Sequence, residues 1–217
     1  MLSPTPRPAL SGSLQSTARL EQLRAQQRKP HEASFFFYDA HFRREAVKVL
    51  PGEYFVHDQD ILIMTTLGSC IAACLWDRER RIGGMNHFML PDAGDGARYG
   101  LYAMELLINE LMKRGATRGS LEAKVFGGGA VLGAMTTLNV GERNTRFVLD
   151  YLKTERIPVV SQDVLDVCPR KVCFEPASGQ AKVKRLASKA VGEQLLAQER
   201  SAAAKSVPSD AGSIELF

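Results

Sequence analysis

No apolar run in this 217-residue sequence approaches the roughly 18–20 residues that a bilayer-spanning helix requires. Its opening stretch, MLSPTPRPALSGSLQSTARL, also lacks the apolar core of a secretory signal. Both absences point to a cytoplasmic protein with no membrane-inserted segment. An excess of one charge is missing too: 28 Lys and Arg face 24 Asp and Glu, a formal net charge of +4. No long basic run lies beside aromatic residues, so no nucleic-acid surface is expected. Cysteine and histidine are scarce, four of each. In the cytoplasm Cys70, Cys74, Cys168 and Cys173 stay reduced and read as thiols, metal ligands or packing before disulfides.

Two common motifs are absent as well. Gly127-Gly128-Gly129 follows a strand-like run, but no Gly-Lys-Ser/Thr ending and no G-x-G-x-x-G with a downstream acid accompanies it. A tight structural turn is expected there, with no nucleotide and no other cofactor. Paired C-x2-C knuckles are missing, and in a strand Cys70 and Cys74 would lie roughly 13 Å apart, too far to share an ion. Cys74 and Cys173 read as small buried hydrophobes.

What is present suffices for one domain of ordinary size, with 45% hydrophobic residues to fill a core. Residues 1–33 read as a flexible arm rich in Ser, Pro, Gln and Arg, in which STARLEQLRAQQRK has helical character but little apolar surface to bury. Residues 187–217 read as a flexible tail with one helix around Val191 to Arg200, which leaves 34–186 as the globular part. There EYFVHD, ILIMTT, IAACLWD and GGMNHFML are expected as four strands of a meander. ARYGLYAMELLINELMKRG places Leu101, Met104, Leu107, Ile108, Leu111 and Met112 at helical spacing, with Gly115 as the stop. LEAKVFG is a strand, NTRFVLDYLKTER a helix capped by Asn144, and IPVVSQD, KVCFEP and AKVKRL are further strands. This order predicts an α+β fold: a layered sandwich with central mixed or antiparallel sheets flanked by helices.

Within that frame TTLGSCIAACLWDRERRIGGMNHFMLP holds the chemistry. Cys70 follows Leu67-Gly68-Ser69, where one strand gives way to the next, and such an entry presents a side chain near the surface beside backbone N–H groups. A thiol of ordinary pKa, about 8.5, is only slightly ionised at neutral pH and needs a neighbouring base. His87, 17 residues on and near the far end of the neighbouring strand, is the histidine placed to serve. A core histidine bonded to a carbonyl is the competing reading. His31, His41 and His57 read as solvent-facing.

LGSCIAACLWD and IGGMNHFMLPD, with GGGA and GERN downstream, resemble the CheD family of chemoreceptor glutamine deamidases from about Glu53 to Leu186. The resemblance implies a cysteine hydrolase that converts glutamines to glutamates in the cytoplasmic helical region of methyl-accepting chemotaxis receptors. Its layered fold is shared with a bacterial toxin class. The family's nucleophile falls on Cys70 and its general base on His87. An upstream threonine completes the family's triad. The position six residues before Cys70 is Met64, so the role passes to Thr65, with Thr66 the other hydroxyl at hand. In QDVLDVCPRKV, Cys168-Pro169 stands where the family has a Gly-Gly turn. Backbone N–H groups around Ser69 and Cys70 are the expected oxyanion donors. Met85, Phe88 and Met89 are candidates for receptor docking, and methyl glutamates, being similar acyl groups, make some esterase activity conceivable. The alternative function is a non-enzymatic adaptor that binds receptors or a CheC-like phosphatase. A papain-like peptidase would place its histidine much further downstream.

Overall fold

A computed structural model describes residues 11–90, 96–130, 135–186, 197 and 201, with side chains omitted for 11–17 and 135–139. The helix expected over 191–200 and the C-terminal tail thus lie, apart from two single residues, outside the described residues. In chain order the elements are α1 (Ser11–Ala25), β1 (Phe35–Asp39), β2 (Arg44–Lys48), β3 (Tyr54–His57), β4 (Leu62–Leu67), β5 (Ile71–Asp77) and β6 (Ile82–Asn86). They continue as α2 (Gly96–Lys113), a 3-10 turn (Arg118–Ser120), β7 (Leu121–Gly127), α3 (Met135–Thr154), β8 (Val159–Val164), β9 (Arg170–Glu175) and β10 (Gln180–Arg185).

The strands form two five-stranded mixed sheets, ordered β1-β2-β4-β9-β10 and β3-β6-β5-β7-β8. The pairs β2–β4 and β7–β8 are parallel, and the rest are antiparallel. Alternation of side chains along each strand then builds three apolar layers. Ile71, Ala73, Leu75 and Phe88 point from the second sheet to α2 and α3, where Met104, Leu107, Ile108 and Leu111 meet them. Cys70, Ala72, Cys74 and Met85 point the other way, against Ile63, Leu67, Val172 and Phe174 of the first sheet. Leu62, Met64 and Cys173 line the outer face of the first sheet with Ala46. The α+β sandwich predicted from element order is the observed class.

The four-strand meander is not observed. Of these four strands only β5 and β6 form a hairpin, β3 pairs with β6, and β4 belongs to the other sheet. Residues 68–70 carry the chain from one sheet to the other, so β4 and β5 face each other across the seam. β1 and β2 have no counterpart among the expected strands. The hairpin turn after β5 is fixed by Asp77, whose carboxylate accepts from the N–H groups of Glu79, Arg80 and Thr117 and from Ser120 Oγ at 2.6–2.9 Å. Burial alone would raise this carboxyl, but the hydrogen bonds from Ser120 and those amides hold it below its ordinary value.

Along α2 the buried stripe is narrower than its apolar spacing predicts, since Leu101 and Met112 are 46% and 42% exposed. Gly115 ends the helix with a φ of 96°. The segment before β1 does find apolar surface: Leu20 and Leu23 are buried in the layer between the sheets, and Ala33 joins them. Arg24 Nη2 donates to the Phe36 carbonyl at 2.7 Å, and Lys29 pairs with the buried Glu110 of α2. Two leucines three residues apart share one face of α1, and that face joins Phe36, Val47 and Phe55 in the core.

Candidate active site

Cys70 is fully buried, not presented near the surface as its position in the sequence predicts. The cause is the tertiary packing of its turn. Its side-chain face is the inter-sheet face, packed with Leu67, Phe126 and Val172. The backbone is clamped from behind: Gly129 N–H donates to the Gly68 carbonyl and Gly128 N–H to the Cys70 carbonyl, both at 2.8 Å. That approach explains the glycine run. Gly127 has a φ of 111°, and a Cβ there would sit 2.1 Å from the Cys70 oxygen. The turn expected to be structural is therefore the backstop of the thiol-bearing residue.

His87 continues β6 and shares the face of Cys70. Ile71 and Phe88 exchange both backbone hydrogen bonds at 2.9 Å, and Cys74 pairs with Met85 in the same register. This register sets Ala72 level with His87 and Cys70 level with Met89, so Cys70 and His87 are diagonal neighbours. Diagonal neighbours in an antiparallel ladder lie roughly 7–8 Å apart and within reach of long side chains. His87 is 2% exposed. Its N–H donates to the Glu53 carbonyl and its own carbonyl accepts from Gly52 N–H, at 2.9 and 2.7 Å, which fixes the backbone from the β3 side.

The third group comes from the opposite sheet. On β4, Ile63, Thr65 and Leu67 face the seam while Met64 faces outward, so position 64 cannot contribute. Thr65 Oγ1 lies 2.8 Å from His87 Nδ1 and donates at 2.8 Å to the Val49 carbonyl. A hydroxyl has one proton, and here the carbonyl takes it. With the hydroxyl proton on the carbonyl, the geometry suits a His87 tautomer in which Nδ1–H donates to Thr65 Oγ1 and Nε2 carries the lone pair. Thr66, on the other face of β4, has no part in this contact.

The helix containing Asn144 starts well before it, at Met135, so Asn144 is an interior residue and not a cap. It is fully buried, Nδ2 donating to the Ser69 carbonyl at 2.9 Å and Oδ1 accepting from Leu90 N–H at 3.0 Å. A polar residue on the inner face of an otherwise amphipathic helix was the available signal for it. Asn86 acts similarly within the sheet: Oδ1 accepts from Ala73 N–H and Nδ2 donates to the Ala103 carbonyl of α2, both at 3.0 Å.

Other titratable residues lie apart from this cluster. Burial raises the Cys74 and Cys173 thiols, the latter to about 11, in keeping with packing residues. His31 and His41 are exposed, but His57 is partly buried and stacks on Phe55. Burial, with Arg114 adding to it, lowers His57 to about 4. Met85 and Phe88 are core residues, and of the three apolar docking candidates Met89 alone is partly exposed. Among the described residues no group of three or more His, Cys, Asp or Glu side chains could hold a metal ion. A cleft of about 290 Å³, including its open mouth, lies on the α2 side of β3 and is lined by His31, Glu53, Tyr54, Tyr99, Tyr102 and His87. The Cys70 side chain is on the opposite face of the sheet.

A buried thiol and imidazole on one sheet, with a hydroxyl from its partner sheet on the second ring nitrogen, define an α+β sandwich with a triad-like centre. Comparison with known proteins names the particular family. Residues 89–185 match the family described as CheD chemotactic sensory transduction. A relative from Albidiferax ferrireducens, "Probable chemoreceptor glutamine deamidase CheD 1", is 63% identical over 92% of this chain and 87% of its own length. A protein of the same name from Dechloromonas aromatica is 52% identical over 86% of this chain and 96% of its own. The chain belongs to the CheD family. Among solved structures, Bacillus licheniformis hypothetical protein YfiH overlaps 52% of this chain and 49% of its own at 13% identity, with a TM-score of 0.32. No described helix is long and apolar enough to cross a membrane.

Proposed function

We propose that this protein is a chemoreceptor glutamine deamidase, a protein-glutamine glutaminase of the cytoplasm. Cys70 acts as nucleophile, His87 as general base and acid, and Thr65 orients the imidazole. The observation that carries this reading is the 2.8 Å contact between Thr65 Oγ1 and His87 Nδ1, with the hydroxyl proton committed to Val49. It leaves Nε2 as the proton acceptor on the face shared with Cys70.

In this mechanism Nε2 takes the Cys70 proton, and the thiolate sulfur attacks the glutamine carboxamide carbon. The oxygen becomes an oxyanion held by backbone N–H of Ser69 and Cys70. The imidazolium returns its proton to the carboxamide nitrogen, and the C–N bond breaks to release ammonia and leave a thioester. Water, deprotonated by His87, then attacks the thioester, restoring the thiol and leaving glutamate. No cofactor enters any step. Exclusion of bulk water from the buried site strengthens the hydrogen bonds to the oxyanion.

The partner is a chemoreceptor, as the names of the relatives suggest, and its cytoplasmic helical region is the part that the family resemblance implies. A CheC-like phosphatase is the second partner that the family resemblance implies. The test is intact-mass analysis of purified receptor cytoplasmic fragments incubated with wild type, Cys70→Ala and His87→Ala. A gain of one mass unit per modified glutamine with wild type, absent with both variants, is the expected result. Receptors that bind the folded protein yet stay unmodified would establish the adaptor function instead.

A further inference from the structure

The carbonyls of Gly68, Ser69 and Cys70 are all held by donors from the second half of the chain. Two of the donors are backbone N–H groups of the glycine turn. The middle one, to Ser69, is a side chain: Asn144 Nδ2 at 2.9 Å. A trans peptide unit is planar, so the Ser69 carbonyl and the Cys70 N–H are two ends of one rigid group and point in opposite directions. Whatever fixes the first aims the second.

We infer that Asn144 is a positioning residue of the reaction: it orients the Ser69–Cys70 peptide so that the Cys70 N–H meets the developing oxyanion. This rests on the deamidase reading given above. Both ends of the carboxamide are used. While Nδ2 holds Ser69, Oδ1 accepts from Leu90 N–H, and the adjacent Arg143 donates from Nη2 to the Leu90 carbonyl at 3.0 Å. One side chain thus ties the nucleophile's turn to the strand extension that carries His87 three residues earlier. Asparagine is a poor choice for the middle of a helix and an expensive one for a fully buried position. Helix packing does not require it; a carboxamide that donates to one backbone group while accepting from another does. Donation to the Ser69 carbonyl also polarises the peptide unit and strengthens Cys70 N–H as a donor.

An oxyanion donor matters to carbonyl addition and not to displacement at a saturated carbon. Alkylation of Cys70 by iodoacetamide needs only the thiolate, whereas deamidation needs the thiolate and the oriented N–H. The experiment therefore compares both reactions in Asn144→Asp, which keeps an acceptor for Leu90 but turns an oxygen toward Ser69, and in Asn144→Ala. Thermal melting shows which variants are folded. Receptor-fragment deamidation gives kcat and KM, and peptide mapping gives the Cys70 alkylation rate.

The expected result is a kcat lowered about 10- to 100-fold, since the donor is misaimed and not deleted, with KM and Cys70 alkylation unchanged. Unchanged kcat in either folded variant overturns the inference. So do kcat and alkylation that fall in parallel, because Asn144 would then serve the thiol or the fold as a whole. Failure of both variants to fold likewise makes Asn144 a core-structure residue and overturns it. Wild type that alkylates at Cys70 but leaves receptors unmodified refutes the deamidase reading instead.

Discussion

Replacing Thr65 with valine keeps the shape of a β-branched side chain on β4 and removes the hydroxyl alone. Two hydrogen bonds disappear, one to the Val49 carbonyl and one from His87 Nδ1. The geometry offers a partial substitute, because Nδ1 also lies 3.5 Å from the Val49 oxygen and can swing toward it. Such a swing preserves the tautomer but moves Nε2 away from the set position. Losing a buried hydrogen bond with incomplete replacement costs about 1.5–3 kcal/mol, which predicts a kcat/KM about 10- to 150-fold lower. Thr65→Ser should retain most activity, and Thr66→Val, altered on the opposite face of the strand, should leave it intact. Initial rates of deamidation on one receptor fragment, with melting curves for each variant, make the comparison. Full activity in Thr65→Val, or equal damage from Thr66→Val, would refute the assignment of the hydroxyl and with it the argument for Nε2 as the base.

Gly127→Ala places a Cβ against the Cys70 carbonyl at a φ of 111°, so it should cost at least about 2 kcal/mol of stability, read by urea denaturation, and abolish deamidation. Arg170 is fully buried, donating to Asp163 at 3.0 Å and to the Leu165 and Cys168 carbonyls at 2.6 and 3.2 Å. Arg170→Met should destabilise by about 3 kcal/mol, the low end for a broken buried pair, because Arg185 still pairs with Asp163. Acid should destabilise the protein through His57: its folded value of about 4 lies below the ordinary 6.5, so the unfolded chain binds the extra proton first. Stability from this residue is complete above pH 6.5, falls by about 2 kcal/mol at pH 5 and is lost as pH drops through 4, and His57→Phe should flatten that slope in denaturant titrations.

The β5–β6 hairpin was legible because its two apolar runs are short and flank one charged turn, and α2 because its stripe has a clear period. The partition of strands between sheets was not. β4 and β5 are separated by three residues, a spacing that equally suits a hairpin, and only the packing of Ile63 and Leu67 against Cys74 and Met85 distinguishes the two arrangements. The same ambiguity hid the relation of Thr65 to His87, which crosses the seam. Asn144 reads locally as a cap, since its side chain suits a helix start, but its partners lie 54 and 75 residues away in sequence. Cys70 was singled out by its turn, while its burial depends on a glycine run that no short window connects to it.

The side chains of Thr65, Cys70 and His87 all lie within residues 65–87, but the groups that lock the Cys70 turn come from residues 128–144. During synthesis the thiol, imidazole and hydroxyl therefore emerge from the ribosome well before their frame is complete. A nascent chain holding only its first half carries an ordinary cysteine with no fixed peptide plane behind it. On the proposed mechanism the Cys70 peptide plane is fixed only when α3 docks, so the order of translation places the three side chains before the frame that orients them.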